Sequence, residues 1–249
     1  MVRQKRLIAG LVAAFGLFAL RGGATLPSRT AQQILESADR TRNGWDEFVV
    51  DIEITNYRGE TADDVSRYQV FIKGTDKNLV KFEDPKDRGK YLLTLDGAMW
   101  LYLPSASRPI RITPLQRLSG NASNGDVAQT SFAANYDAVL SGEEEVDGQR
   151  AYVLELTAKT KSSTYRSIRY WIAKETSLPL KAELRMGSGK VSKVATFDRY
   201  EKVGGRMLLR RQVIIDALRK GQKTVLVFGK YTPREIPDRM FNANYLGQL

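Results

Sequence analysis

The stretch from Asp147 to Phe197, DGQRAYVLELTAKTKSSTYRSIRYWIAKETSLPLKAELRMGSGKVSKVATF, decides the fold. Its runs Arg150 to Lys159, Tyr165 to Ala173, Leu178 to Met186 and Val191 onward are strand-like, separated by short polar or glycine-containing breaks. Side chains on a strand point alternately to opposite faces, so a period of two marks strands with one buried face. Asp147-Gly148 is a strong two-residue hairpin signal. The pattern continues through Val191 to Val203, Met207 to Ala217 and Thr224 to Tyr231, with breaks at Ser188-Gly189, Gly204-Gly205 and Lys220-Gly221. The chain therefore reads as a long antiparallel meander, and its regular turns predict a barrel or a strongly curved sheet. No strand–helix–strand alternation appears, which argues against a parallel sheet.

Towards the N-terminus the same period recurs. Phe48, Val50, Ile52 and Ile54 alternate with Val49, Asp51, Glu53 and Thr55; Tyr68, Val70 and Ile72 share a face; Tyr91, Leu93 and Leu95 run into Asp96-Gly97. Ala98 to Leu103 returns apolar on both faces, and Arg108 to Ile112 alternates again. Ahead of these strands, Thr30 to Gln33 has the form of a capping box. Ala31, Ile34, Leu35 and Ala38 follow at helical spacing up to Asn43-Gly44. So thin a stripe cannot build a core alone, and it predicts a lid or plug lying on the sheet. Thr113 to Leu140 lacks the period of two and is read as a loop with one or two helical turns crossing the barrel mouth. At the far end Pro237 suits a first helical position, with Asp238 in the first turn and Met240, Phe241 and Tyr245 available to dock it.

The first 24 residues read as an address. Arg3, Lys5 and Arg6 precede the uncharged run Leu7 to Leu20, which is shorter than the roughly 20 apolar residues of a spanning helix. Gly22 and Ala24 then offer a small-x-small cleavage site, so residues 1–24 are expected to be a cleavable signal peptide that exports the chain to the periplasm. An uncut membrane anchor is the alternative. Residues 25–249 suit one domain, since no linker or repeat divides them, and a monomer is expected. The absence of cysteine excludes disulfides and a lipid-modified N-terminal cysteine. The formal net charge of +11 favours anionic partners, including a transient membrane surface. Export argues against nucleic acid.

Histidine is absent as well. That removes the commonest general base, the Ser-His-Asp and Cys-His arrangements, and zinc sites that need either residue. Lys161, Ser162 and Ser163 read as a hairpin loop, and Glu143 to Glu145 as a solvated strand end beside Asp147-Gly148. Asp126 follows Asn124-Gly125 without the spacing of a calcium loop, and no phosphate-binding loop or dinucleotide fingerprint occurs. No catalytic residue, metal site or cofactor is expected. A surplus of apolar strand surface remains. An ordinary filled core would absorb it; a large sheet left open would instead present a concave apolar face suited to acyl chains, at about 0.8 kcal/mol per buried CH₂.

Asp96 to Ile112 (DGAMWLYLPSASRPIRI), then Gln116-Arg117 and Gly125-Asp126, resembles the signature of the outer-membrane lipoprotein-sorting proteins of the LolA-like superfamily. Tyr170-Trp171-Ile172 ahead of Leu178-Pro179-Leu180-Lys181 fits the same pattern. The loop departs from it: Asn124-Gly125-Asp126-Val127 lacks the usual Ser before Asp, and Asp137-Ala138-Val139 replaces the Asp-Leu end. The resemblance implies a mainly β fold, a half-open antiparallel barrel of about eleven strands with helices as a lid. It implies a carrier for the acyl chains of lipoproteins or lipids, bound for the outer membrane, with an inner-membrane lipid transporter as a partner. Related half-barrels also serve as sensory or scaffold modules that bind a membrane regulator. On this reading Trp100 and Tyr102 line the cavity or its rim, while Arg108, Arg111 and Arg117 engage a phosphate or lid carbonyls, as the forked donors of arginine can. Packing in a core and a solvated strand face are the alternatives for these residues.

Overall fold

The computed structural model describes residues 29–249, so the expected signal peptide lies outside the described residues. Thr30 caps the first helix, α1 (Ala31–Asp39), through the expected reciprocal pair: its hydroxyl accepts from the Gln33 amide, and the Gln33 side chain accepts from the Thr30 amide. Six strands follow, β1 (Glu47–Arg58), β2 (Thr61–Lys73), β3 (Lys77–Phe82), β4 (Tyr91–Leu95), β5 (Ala98–Tyr102) and β6 (Ile110–Ile112). An excursion holds β7 (Arg117–Ser119), β8 (Ala122–Ser123), α2 (Asn124–Ala128) and α3 (Phe132–Asn135). The second run of strands is β9 (Tyr136–Val146), β10 (Gln149–Ala158), β11 (Ser167–Ala173), β12 (Pro179–Arg185), β13 (Val191–Val203), β14 (Arg206–Asp216) and β15 (Gln222–Pro233). Two 3₁₀ turns, Asp238–Phe241 and Ala243–Gln248, close the chain.

All the long strands form one antiparallel sheet in the order β6-β5-β4-β3-β2-β1-β15-β14-β13-β12-β11-β10-β9. Two meanders thus join where β1 pairs with β15, and the sheet does not close, because β6 and β9 remain edges. Shifts of register at Val50/Ile52 of β1, at Val153/Leu154 of β10 and twice along β13 bend it. Such bulges increase local twist and curve a wide sheet. The mainly β, half-open architecture expected above is therefore the one observed, with 13 strands rather than about eleven. Two strands that carry no clear period of two account for the difference. In β3, Asn78, Leu79 and Val80 are buried in succession, so both faces are covered. In β9 nearly every residue after Tyr136 is exposed or half-exposed, as suits an edge. Residues 136–140 accordingly leave the excursion and join the sheet.

The two faces carry separate cores. The concave face presents Phe48, Val50, Ile52, Ile54, Tyr68, Val70, Leu154, Ile168, Tyr170, Leu184, Phe197 and Leu226 to the lid residues Ile34, Leu35, Ala38, Ala122, Val127 and Ala128. The convex face of β1 to β4 presents Val49, Phe71, Leu79, Tyr91 and Leu93 to Ile236, Phe241 and Leu246 of the C-terminal segment. The C-terminal segment docks as expected through Met240 and Phe241, but Leu246 rather than Tyr245 is the buried anchor of the last turn. Pro237 stands just before its 3₁₀ turn rather than within it. The Glu143 to Glu145 run is paired more fully than a solvated strand end. Glu143 meets Arg150 and Lys174, and Glu144 accepts from Arg169 and from the Trp171 indole at 2.7 Å, which holds both carboxyls below their usual range.

Candidate functional site: the concave face and its lid

The concave face is covered by two pieces of chain that hold each other. Asp39, at the last position of α1, accepts from the Ser131 hydroxyl at 2.8 Å and from the Ala133 amide at 2.7 Å, so it joins α1 to α3. Three residues on, Arg42 donates to the Asp126 carbonyl at 3.2 Å and lies over the Phe132 ring, 5.1 Å from its centroid. Asn43 donates to the Thr130 carbonyl at 3.1 Å, and Gln32 to the Ala133 carbonyl at 3.2 Å. The turn after the helix, which the sequence marks only by Asn43-Gly44, is thus one side of a polar clasp.

The other side of the excursion is tied to the sheet around Asp126. Its carboxylate accepts from the Tyr165 hydroxyl at 2.8 Å, from Lys193 Nζ at 3.1 Å and from the Ser123 amide at 2.8 Å. Lys193 also donates to the Ser123 hydroxyl at 2.7 Å. Gln129 accepts from the amide and hydroxyl of Thr164 and donates to the Ser162 carbonyl. Gly125 is pressed against this strap: a Cβ there would stand 1.8 Å from Thr164 Oγ1, so only glycine fits the approach. Asp126 is therefore a buried clasp to Tyr165, just ahead of β11, and to Lys193 of β13; among the described residues no acidic cluster suited to a metal occurs.

This clasp is polar where a core is usually apolar. Burial pushes the Asp39 carboxyl above its ordinary value, against its hydrogen bonds to Ala133 and Ser131 and the nearby Arg42 charge. Asp39 Oδ1, Asn43 Oδ1, Thr130 Oγ1 and the Tyr170 hydroxyl are buried without a partner among the described residues. A buried unpaired polar group costs about 1–3 kcal/mol, and water would satisfy it. Beneath the clasp Phe132 packs edge-on against Tyr136 and Tyr170, and Tyr170 against Phe197.

At the β5–β6 edge the cover is incomplete. Phe82, Leu101, Leu103, Ile112 and Leu118 line a hollow of about 310 Å³, with Lys90, Arg117 and Asn124 around it. Ile110, paired with Leu101, is 49% exposed beside it. The strand period decides which residues of β5 reach this mouth: Met99, Leu101 and Leu103 face inward, so Trp100 and Tyr102 face outward. Both pack in the convex core under the C-terminal segment, and Arg111 lies over the Trp100 ring at 5.8 Å. The sequence expectation that the two aromatics line the cavity or its rim thus gives way to a place on the opposite face. Arg108 is exposed in the loop before β6. Of the five expected site residues the structure brings only Arg117 to the mouth. The arginine that reaches a lid carbonyl is Arg42, which sequence reasoning passed over. Its signal was an Asp and an Arg three residues apart at the end of a thin-striped helix.

A family model described only as an uncharacterized protein matches residues 74–248. The LolA superfamily protein of Nitrosomonas europaea is 35% identical, and its crystal structure superposes with a TM-score of 0.82 over 88% of this chain and all of that one. The chain belongs to the LolA superfamily. Two further structures share the fold at TM-score 0.72: a DUF1329 family protein from Desulfovibrio piger, 24% identical over 88% of this chain and 100% of its own, and a putative outer membrane lipoprotein-sorting protein domain from Vibrio parahaemolyticus, 22% identical over 87% and 98%. No curated protein sequence matches. Within this LolA-superfamily fold, the wide sheet, the two-piece lid and the mouth at the β5–β6 edge are the parts that differ from a closed, filled barrel.

Proposed function

We propose that this LolA-superfamily protein is an exported, non-catalytic carrier that takes the acyl chains of a lipoprotein or lipid onto its concave face when the lid parts. The observation that carries this reading is the polar clasp over an apolar face: Asp39, Arg42 and Asn43 hold the lid by bonds that water can replace, while the surface beneath is apolar. Acyl chains enter by the mouth lined by Phe82, Leu101, Leu103, Ile112 and Leu118, with Arg117 at its rim to meet a head group. Trp100, Tyr102 and Arg111 serve the convex cover instead. The protein works as a monomer in the periplasm, meets membranes transiently, and receives or delivers cargo at a membrane protein such as a lipid-exporting transporter.

Purification of the full protein from the periplasm, followed by native mass spectrometry and solvent extraction, tests the proposal. Co-purifying acyl ligands, or saturable uptake of a fluorescent long-chain fatty acid, are expected. Their absence together with recovery of a membrane partner would overturn carriage in favour of a regulatory half-barrel.

A further inference from the structure

A second hollow, of about 600 Å³, lies away from the mouth at the end of the sheet where α1 finishes. The residues after α1, the β2–β3 turn, the β11–β12 turn and the start of β14 surround it. Three guanidiniums line it, those of Arg29, Arg40 and Arg206, against a single carboxylate, Asp46. Among the described residues none of the three forms an ion pair. Arg29 donates to the hydroxyls of Ser177 at 3.0 Å and Ser37 at 2.7 Å, and Arg40 donates to the same Ser37 hydroxyl at 2.7 Å. Arg206 lies over the Trp45 ring at 5.3 Å.

Two cations thus converge on one neutral oxygen. Ser37 is buried and its own proton is given to the Gln33 carbonyl at 2.8 Å, so it can offer nothing that balances their charge. Like charges this close repel, and an anion between them turns repulsion into charge-assisted hydrogen bonds. The planar fork of arginine matches the oxygens of a phosphate. Ser177 adds a further sign of a built site. Among the described residues it is one of three non-glycine residues at positive φ, at 59°, and its hydroxyl accepts from Arg29. Trp45, Leu178 and Met207 give the hollow an apolar side.

We propose that this hollow binds the phosphate group of a small anionic ligand, either a lipid head group or a free phosphate, between Arg29, Arg40 and Arg206. The site does not depend on acyl carriage: it borders the lid through Ser37 and Asn43, but none of its three arginines lines the mouth. Isothermal calorimetry of the full protein with inorganic phosphate, glycerol 3-phosphate and dihexanoyl phosphatidic acid tests it, with tryptophan fluorescence reporting on Trp45. Saturable one-to-one binding of at least one probe is expected, weakened tenfold or more in the Arg40→Gln, Arg206→Gln double variant and largely kept in Arg40→Lys. Equal affinity for all three probes assigns a free phosphate; preference for the esters assigns a head group. Absence of saturable binding by all three, or unchanged affinity in a double variant that melts like the parent, would overturn the site. None of these probes carries a long chain, so the result is read apart from fatty-acid uptake at the concave face.

Discussion

The C-terminal cover on the convex face and the lid on the concave face shield the same sheet, yet different forces hold them. The first is seated by side chains: Ile236, Phe241 and Leu246 are buried on Val49, Phe71, Leu79 and Leu93, and Lys73 pins its start by donating to the Ile236 carbonyl and pairing with Glu47 and Asp238. The second also has an apolar stripe, but its two pieces are joined through Asp39, Arg42 and Asn43, with polar atoms left unpaired nearby. An apolar seat has no substitute in water, whereas a buried polar clasp does. On the function proposed above, one cover is therefore permanent and the other is removable, on a single continuous sheet.

Substitutions that separate the two covers give the largest effects first. Phe241→Ala should cost about 3–5 kcal/mol, as deletion of a buried ring does. Urea denaturation should show this as a loss of global stability, with no selective loosening of residues 31–42 or 124–135. Gly125→Ala drives a methyl into Thr164 and should cost about 1–3 kcal/mol, the usual range for overpacking, with the loss centred on the strap to residues 162–165 ahead of β11. Asp39→Ala leaves the Ser131 hydroxyl proton and the Ala133 amide without an acceptor, at about 1–3 kcal/mol. Hydrogen exchange should then quicken in α1 and in residues 124–135 while Ile236 to Leu246 keep their protection. Equal loosening of both covers would erase the distinction.

The smallest effect is one of pH. Because burial raises the Asp39 carboxyl above its ordinary 3.8, the shut lid favours the protonated acid. The extra stability of the shut state is fully present below that ordinary value and is lost as pH rises through the raised one. Lid opening, measured by exchange corrected for its intrinsic pH dependence, should therefore grow across that window, and Asp39→Asn should flatten the dependence.

The sheet was legible in the sequence wherever one face of a strand is buried and the other wet, as in Arg150 to Lys159 or Phe48 to Ile54. The pattern failed where that contrast vanishes: β3 is covered on both faces and β9 is an exposed edge. For the candidate site, the thin stripe of α1 and the aperiodic excursion marked the lid, because an element too weakly apolar to build a core must lie on one. The mouth was misplaced by one residue. In a strand as apolar as Ala98 to Leu103 nothing in the sequence says which face is inner, so it leaves Trp100 and Tyr102 open to the cavity, its rim or a packed core, and the structure puts them in the convex core while Leu101 and Leu103 line the mouth. Arg42 was missed because its partner is a backbone carbonyl 84 residues away, which leaves no trace in local spacing.

Hydrogen exchange of the whole protein with and without a bound long-chain fatty acid tests the central claim most directly. Saturating ligand should strip protection from residues 31–42 and 124–135 and leave Ile236 to Leu246 unchanged. Binding that leaves the lid fully protected, or no binding at all, would contradict a removable cover over an acyl-binding face.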